Sequence, residues 1–156
     1  MALVALQSAK SPNRYVHLDG TGVTKSTDNG GGVVSIGKFI GPLETFTLVI
    51  NNDGTVSFKS TVFTNVFLRL DGRPVPPGKS LVSGGGIVNA QLLAGPYEKY
   101  KIRKKAGDPE KYDGIVAIES FAFPGRFLRL DAAAGVVNVQ GVSGSLEEFK
   151  ILVVGE

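Results

Sequence analysis

Three five-residue words constrain this chain more than any other feature: YVHLD at 15–19, FLRLD at 67–71 and FLRLD at 127–131. Each sits inside a longer match without gaps. Upstream, Val4, Leu6 and Ser8 align with Val56, Phe58 and Ser60 and with Val116, Ile118 and Ser120. Downstream, GVVSIGKFIGPLETFTLV from Gly32 matches GIVNAQLLAGPYEKYKIR from Gly86 and GVVNVQGVSGSLEEFKIL from Gly135. That second block aligns Glu44 with Glu98 and Glu147, and Phe46 with Tyr100 and Phe149. The chain of 156 residues is therefore one unit of about fifty residues written three times, and such a period has to be explained before any other feature of the fold.

Each unit reads as four short strands. Val4, Leu6 and Ser8 alternate; Val16 and Leu18 share one face of the second strand; the third covers Val34 to Ile36 and the fourth Phe46 to Val49. Period-two patterning broken by Gly, Pro, Asn and Asp is the strand signature, and no stretch keeps a helical period for three turns. With 21 Gly and 8 Pro, turns are dense, as an all-β chain requires. Three four-stranded units that each fail to bury their apolar face alone can close on one another as a β-trefoil, a six-stranded barrel capped by three hairpins. Closure also removes the exposed sheet edges that a Val-rich chain must avoid. The expectation is one β-trefoil domain over 1–156, with repeats at about 2–51, 52–114 and 115–156.

Composition narrows the functional classes. Without Cys the fold relies on its core alone, which fits a reducing compartment. The N-terminal MALVALQSAK has no basic segment and only a short apolar run, so no signal peptide is read there and a cytoplasmic address is expected. No apolar run reaches the length of a membrane span. The net charge of +3 is mild and spread along the chain, unlike the clustered basic face of a nucleic-acid binder, so no nucleic acid is expected as a partner.

Catalytic motifs are missing. One His and no Cys leave no H-E-x-x-H or similar zinc pattern. GVSGS at 141–145 is not a nucleophile elbow, because its last position is Ser. GTGVTKS at 20–26 lacks the Gly before Lys25 and the following helix that a phosphate-binding loop needs. A glycosidase pair needs only two carboxylates, yet Glu44, Glu98 and Glu147 hold a threefold slot, which points to capping or turn hydrogen bonds. The chain is therefore read as non-enzymatic, with no cofactor and no metal. His17 fills the slot that Arg69 and Arg129 occupy in the other units and is expected on an exposed face near Asp19.

Departures from symmetry carry the functional information. Twelve residues, 20–31, separate Asp19 from Gly32, and fourteen, 72–85, separate Asp71 from Gly86; in the third unit only AAA stands between Asp131 and Gly135. A further insertion, 104–114, joins the second and third units. Long loops are where binding is often placed. Lys25, Arg73, Pro76, Lys79, Lys104, Lys105 and Tyr112 are the candidate partner residues on them.

A second candidate lies on the strands. The third strand reads Asn89-x-Gln91 in the second unit and Asn138-x-Gln140 in the third, whereas the first has Ser35-x-Gly37. These are read as outward positions, where the amides would pair with sugar hydroxyls beside Asp71 and Asp131, since amides donate and accept and carboxylates accept. Simple alternation of polar residues outward is the simpler explanation of them. Tyr97 and Tyr112 are the loop aromatics available to stack on a sugar. The basic run Lys99, Lys101, Arg103, Lys104, Lys105 reads mostly as a solvated face, neutralised by Asp108, Glu110 and Asp113.

ESFAFPGRFLRLD at 119–131 resembles the S-x-x-x-P-x-x-[FY]-L-R element of arabinofuranose-binding modules, β-trefoils attached to arabinofuranosidases. SAKSPNRYVHLD and STVFTNVFLRLD are weaker copies. In that family a His after the Leu-Arg pair and an Asp three residues before the fourth-strand Phe line the sugar pocket; here those positions hold Leu70 and Leu130, and Leu43, Tyr97 and Leu146. FLRLDAAAGVVNVQ with EEFKI is also similar to fascin-type and hisactophilin-type trefoils, which bind actin. Fungal protease-inhibitor trefoils resemble the chain in size and lack of Cys. The resemblance implies a lectin-like protein whose partner is a glycan or glycoprotein. The alternative is a protein-binding trefoil that takes a protease or actin through its loops.

Overall fold

The computed structural model describes residues 1–105 and 114–156. Twelve strands follow one another: β1 Leu3–Ser8, β2 Tyr15–Asp19, β3 Val33–Gly37, β4 Phe46–Ile50, β5 Val56–Ser60, β6 Val66–Asp71, β7 Ile87–Leu92, β8 Tyr100–Lys104, β9 Ile115–Ser120, β10 Phe127–Asp131, β11 Val136–Gln140 and β12 Phe149–Gly155. The alternating segments form strands where the repeat predicts them. A single turn of 3-10 helix precedes the last strand of each unit, at Pro42–Glu44, Pro96–Glu98 and Ser145–Glu147. No helix among the described residues is long and apolar enough to cross a membrane.

Six strands close a ring. β1 pairs with β4, β4 with β5, β5 with β8, β8 with β9, β9 with β12, and β12 returns to β1. All these pairs are antiparallel, so the barrel has no free edge. The remaining strands form three hairpins, β2–β3, β6–β7 and β10–β11. Alternation sends Val4, Leu6, Val16 and Leu18 inward, together with Phe46, Phe58, Leu68, Leu70, Tyr100, Ile118, Leu128, Leu130 and Phe149, all fully buried. Tyr100 takes a slot that is Phe in the other units, and its hydroxyl donates to the Leu68 carbonyl at 2.9 Å, which satisfies the one polar atom that the ring brings into the core.

The expected structural role of the threefold glutamates is observed. Glu44, Glu98 and Glu147 each accept from the backbone N–H of the Gly three residues earlier, at 2.9, 2.7 and 2.8 Å. Each thereby caps the 3-10 turn that leads into the fourth strand. Burial pushes the Glu98 and Glu147 carboxyls above their ordinary range. His17 corrects its expectation: it is half-buried and pairs with Glu44, because in the first unit it stands where a buried Arg faces the same glutamate slot in the others.

Candidate functional site

The two long loops are held by the amides singled out from sequence. Loop 20–31 of the first unit crosses onto the hairpin of the second unit. There the Gln91 side chain accepts from Thr27 N–H at 3.2 Å and donates to the Thr27 carbonyl at 2.6 Å. Asn89 Nδ2 donates to the Asn29 carbonyl at 2.9 Å, and Arg69 donates to the Asp28 carbonyl at 3.0 Å. Loop 72–85 repeats the arrangement one unit later. Gln140 accepts from Leu81 N–H and donates to its carbonyl, both at 2.8 Å. Asn138 Nδ2 and Arg129 Nη1 donate to the Ser83 carbonyl at 2.9 and 3.1 Å. Backbone pairs Gly31–Ala90 and Gly85–Val139 complete each clamp, with N–H to carbonyl distances of 2.8 Å.

Close approach explains the triple glycines. Gly30 and Gly84 lie at φ of +65° and +64°, and a Cβ there would come 2.8 Å from Asn89 Oδ1 and 2.7 Å from Asn138 Oδ1. The two loops, unlike in sequence, are thus one device. It leaves a single side chain projecting between the clamped peptides: that of Asp28, which is exposed, in the first loop, and that of Val82, fully exposed, in the second.

The expectation that the third-strand amides face outward is therefore corrected. Gln91 and Gln140 are buried, Asn89 and Asn138 half-buried, and their polar atoms are engaged within the chain. Asp71 is buried between Arg69 at 3.4 Å and Arg73 at 2.6 Å. The hydrogen bonds from Arg73 and the two positive charges hold its carboxyl below the ordinary range, against the opposing push of burial. Asp131 meets Arg129 at 3.0 Å and accepts from Ala134 N–H at 3.1 Å. Arg69 and Arg129 are themselves almost fully buried; several acceptors around each make that burial tolerable. The first unit has no such cluster. Only AAA precedes Gly135, so among the described residues no corresponding loop is clamped on the first hairpin, and Ser35 and Gly37 stand where the amides would.

Among the loop candidates, Lys25, Arg73 and Lys79 are exposed and Pro76 is half-buried. Lys105 donates to the carbonyls of Ser143 and Gly144 at 3.0 and 3.1 Å and faces Glu148 at 3.6 Å. Lys104 ends β8 and is exposed. Tyr112, Asp108, Glu110 and Asp113 lie outside the described residues. Within the basic run, Lys99 pairs with Asp53 at 3.2 Å and Arg103 with Glu119 at 2.7 Å.

On the second unit the clamp leaves a cavity of about 190 Å3 lined by Asp28, Arg69, Gln91, Pro96, Tyr97 and Glu98. Tyr97, half-buried, has the Arg69 guanidinium 5.2 Å from its ring centre and packs edge-on against Phe123 at 4.8 Å. The Asp28 carboxylate and the Tyr97 hydroxyl have no hydrogen-bond partner among the described residues, so both are available to a guest. Leu70 and Leu130, which occupy the pocket-His slots of the arabinofuranose-binding modules, are wholly inside the core and line nothing. Sequence reasoning identified Gln91 and Tyr97 but missed Asp28. Its signal was faint: Asp28 is the residue of the first loop aligned with the tip of the second.

No family model matches the chain, and no curated protein matches it. Solved structures do. The chain is similar to ThreeFoil, a designed threefold-symmetric protein, with a TM-score of 0.68 and 15% identity over 97% of this chain and 99% of that one. It is similar to SeviL, solved bound to the asialo-GM1 saccharide, with a TM-score of 0.69 and 8% identity over 99% of both chains. It is similar to the β-trefoil BEL, with a TM-score of 0.66 and 12% identity over 98% of this chain and 93% of that one. Likeness at these identities concerns the backbone alone. With six strands closed in a ring, three capping hairpins and these neighbours, the chain belongs to the β-trefoil fold.

Proposed function

We propose that this chain is a non-catalytic, lectin-like carbohydrate-binding protein that takes its glycan in the cavity of the second unit. The observation that carries the reading is the convergence of an aromatic ring, Tyr97, with the Asp28 carboxylate, which no hydrogen bond among the described residues occupies, over a lining of Arg69, Gln91 and Glu98. A carboxylate accepts from adjacent hydroxyls, and the phenol both donates and accepts. The other candidates, Asp71, Asp131, Asn89, Asn138 and Gln140, then support the loops and not the sugar. Glu98 repeats the capping role of Glu44 and Glu147, which favours binding over acid catalysis. The saccharide bound by SeviL gives the same reading a precedent on this fold.

A glycan array with the labelled protein tests it, run beside Tyr97→Ala and Asp28→Ala. Binding by the parent that both variants lose supports the cavity. A folded parent that binds no glycan, or binding that neither variant weakens, overturns it.

One observation favours the alternative of a protein-binding trefoil. Val82 stands fully exposed between two clamped peptides, and a pre-ordered loop loses little freedom on docking. Its backbone, however, makes a turn in which Gly84 N–H reaches the Leu81 carbonyl at 3.3 Å. That shape favours an apolar socket on a partner such as actin over the extended cleft of a protease. Pull-downs with Val82→Asp distinguish the two readings, because that change leaves the second-unit cavity intact.

A further inference from the structure

The three junctions between successive units are built alike up to one point. In each, the serine that ends the first strand accepts the backbone N–H three residues on: Ser8 from Ser11, Ser60 from Phe63 and Ser120 from Phe123, at 3.0, 2.9 and 3.0 Å. Ser11, Phe63 and Phe123 are therefore one structural position. Phe63 lies over Gly20, where a Cβ would come 2.9 Å from its ring, and Phe123 lies over Gly72, where a Cβ would come 3.2 Å from its Cβ. An aromatic plug and a glycine seat thus seal the first two junctions. At the third, the plug is Ser11 and the seat is Ala132.

The arginines tell the same story. Arg126 follows the plug of the third unit and donates its Nε to the Val75 carbonyl of loop 72–85 at 2.8 Å. Arg14 is its counterpart in the first unit. The loop that would supply its acceptor is the truncated AAA, and Arg14 reaches only the Asn13 carbonyl, at 3.0 Å. No carboxylate pairs with it among the described residues. Asp131, next to Ala132 in the chain, is already taken by Arg129 and Ala134 N–H. What remains is an open cavity of about 200 Å3 lined by Ser11, Pro12, Asn13, Arg14 and Ala132. The Ser11 hydroxyl and the Asn13 amide have no partner among the described residues either.

We infer that this junction is a second binding site, separate from the second-unit cavity, and that it takes a six-membered sugar ring bearing a carboxylate, a uronic-acid residue. The ring occupies the volume that Phe63 and Phe123 fill elsewhere. The carboxylate receives from Arg14 the Nε–H that Arg126 gives to Val75, together with a second guanidinium N–H, in the charge-assisted, paired geometry that guanidinium favours. Ser11 and Asn13 meet ring hydroxyls, which selects a sugar over an apolar ring acid. The cavity is smaller than the ~300 Å3 at which drug-sized sites begin, so it suits one ring.

The experiment is a titration of the full chain with D-glucuronate, followed by backbone amide NMR shifts. Four comparisons accompany it: the ligands glucose and cyclohexanecarboxylate, and the variants Arg14→Gln and the plugged Ser11→Phe/Ala132→Gly. We expect saturable amide shifts at 11, 13, 14 and 132–134 with glucuronate, weakened about tenfold or more in glucose and in Arg14→Gln. The plugged variant should lose binding while its Tm holds or rises, which separates occupancy of the site from damage to the fold. Absence of shifts at these amides, or binding that survives plugging, overturns the site. Equal binding of cyclohexanecarboxylate overturns the sugar assignment. Tyr97→Ala should leave these shifts unchanged, so this outcome and that of the glycan reading above are scored independently.

Discussion

The side-chain amide of Gln140 holds both the N–H and the carbonyl of Leu81, 59 residues earlier, at 2.8 Å each. Two parallel bonds from one amide mimic a step of β-ladder and fix a loop peptide as firmly as a neighbouring strand would. Gln140→Ala should lower stability by about 1–3 kcal/mol, since buried partners are left unpaired. It should also open 72–85 to limited proteolysis while 20–31 stays protected. Gln91→Ala should reverse that pattern. Unchanged cleavage in both variants would show that the clamps do not order the loops.

Gly84 and Gly54 separate two costs of adding a methyl group. Both have positive φ, +64° and +85°, but a Cβ at Gly54 meets nothing within 4 Å, whereas one at Gly84 meets Asn138 at 2.7 Å. Gly54→Ala should cost about 1 kcal/mol from backbone strain alone. Gly84→Ala should cost about 2 kcal/mol or more, because the clamp must also give way. Denaturant melts of the two variants measure the difference, and equal losses would contradict the close approach.

Tyr100→Phe converts the second unit to the residue found at Phe46 and Phe149. The ring stays packed against Phe58, 5.6 Å away between centres, and only the hydrogen bond to Leu68 is lost. A loss of about 1 kcal/mol is expected, or a fall in Tm of about 2–4 °C. A loss several times larger would mean that the hydroxyl orders more than one carbonyl.

Acid sensitivity should have an assignable part. The Thr55 hydroxyl and N–H, and then Lys99, hold the Asp53 carboxyl down to about 2 from its ordinary 3.8. A carboxyl depressed in the folded state lends stability that is complete above its unfolded value and lost as pH falls through the folded one. Between about pH 4 and pH 2 the parent should therefore lose Tm more steeply than Asp53→Asn. Parallel Tm curves would remove Asp53 from the acid limb.

The fold was legible because a fifty-residue period admits few closures, and period-two apolar residues mark the strands within it. The amides of β7 and β11 were visible too, as departures from symmetry, but their task was not. Each meets a peptide about sixty residues away, and local alternation does not reveal a distant acceptor. The informative pattern was joint: Arg69 with Asn89 and Gln91 follows one long loop, Arg129 with Asn138 and Gln140 follows the other, and His17 with Ser35 and Gly37 follows AAA. Receptors appear only where the preceding unit has something to be received. The open junction was written in the same way, as a Ser in the slot of Phe63 and Phe123, yet a small polar residue in a loop draws no notice until its two counterparts are seen as plugs.

β1 is joined to β12 along its whole length, with Leu6 opposite Ile151 and Ser8 opposite Phe149. A chain emerging from the ribosome therefore leaves that edge of β1 bare until residues 149–155 appear, and the entropy of closing so long a span is met only then. Two finished repeats cannot shield that edge by themselves. β12 acts as a clasp, and the interval before it closes is when this edge is most exposed to pairing with the wrong neighbour.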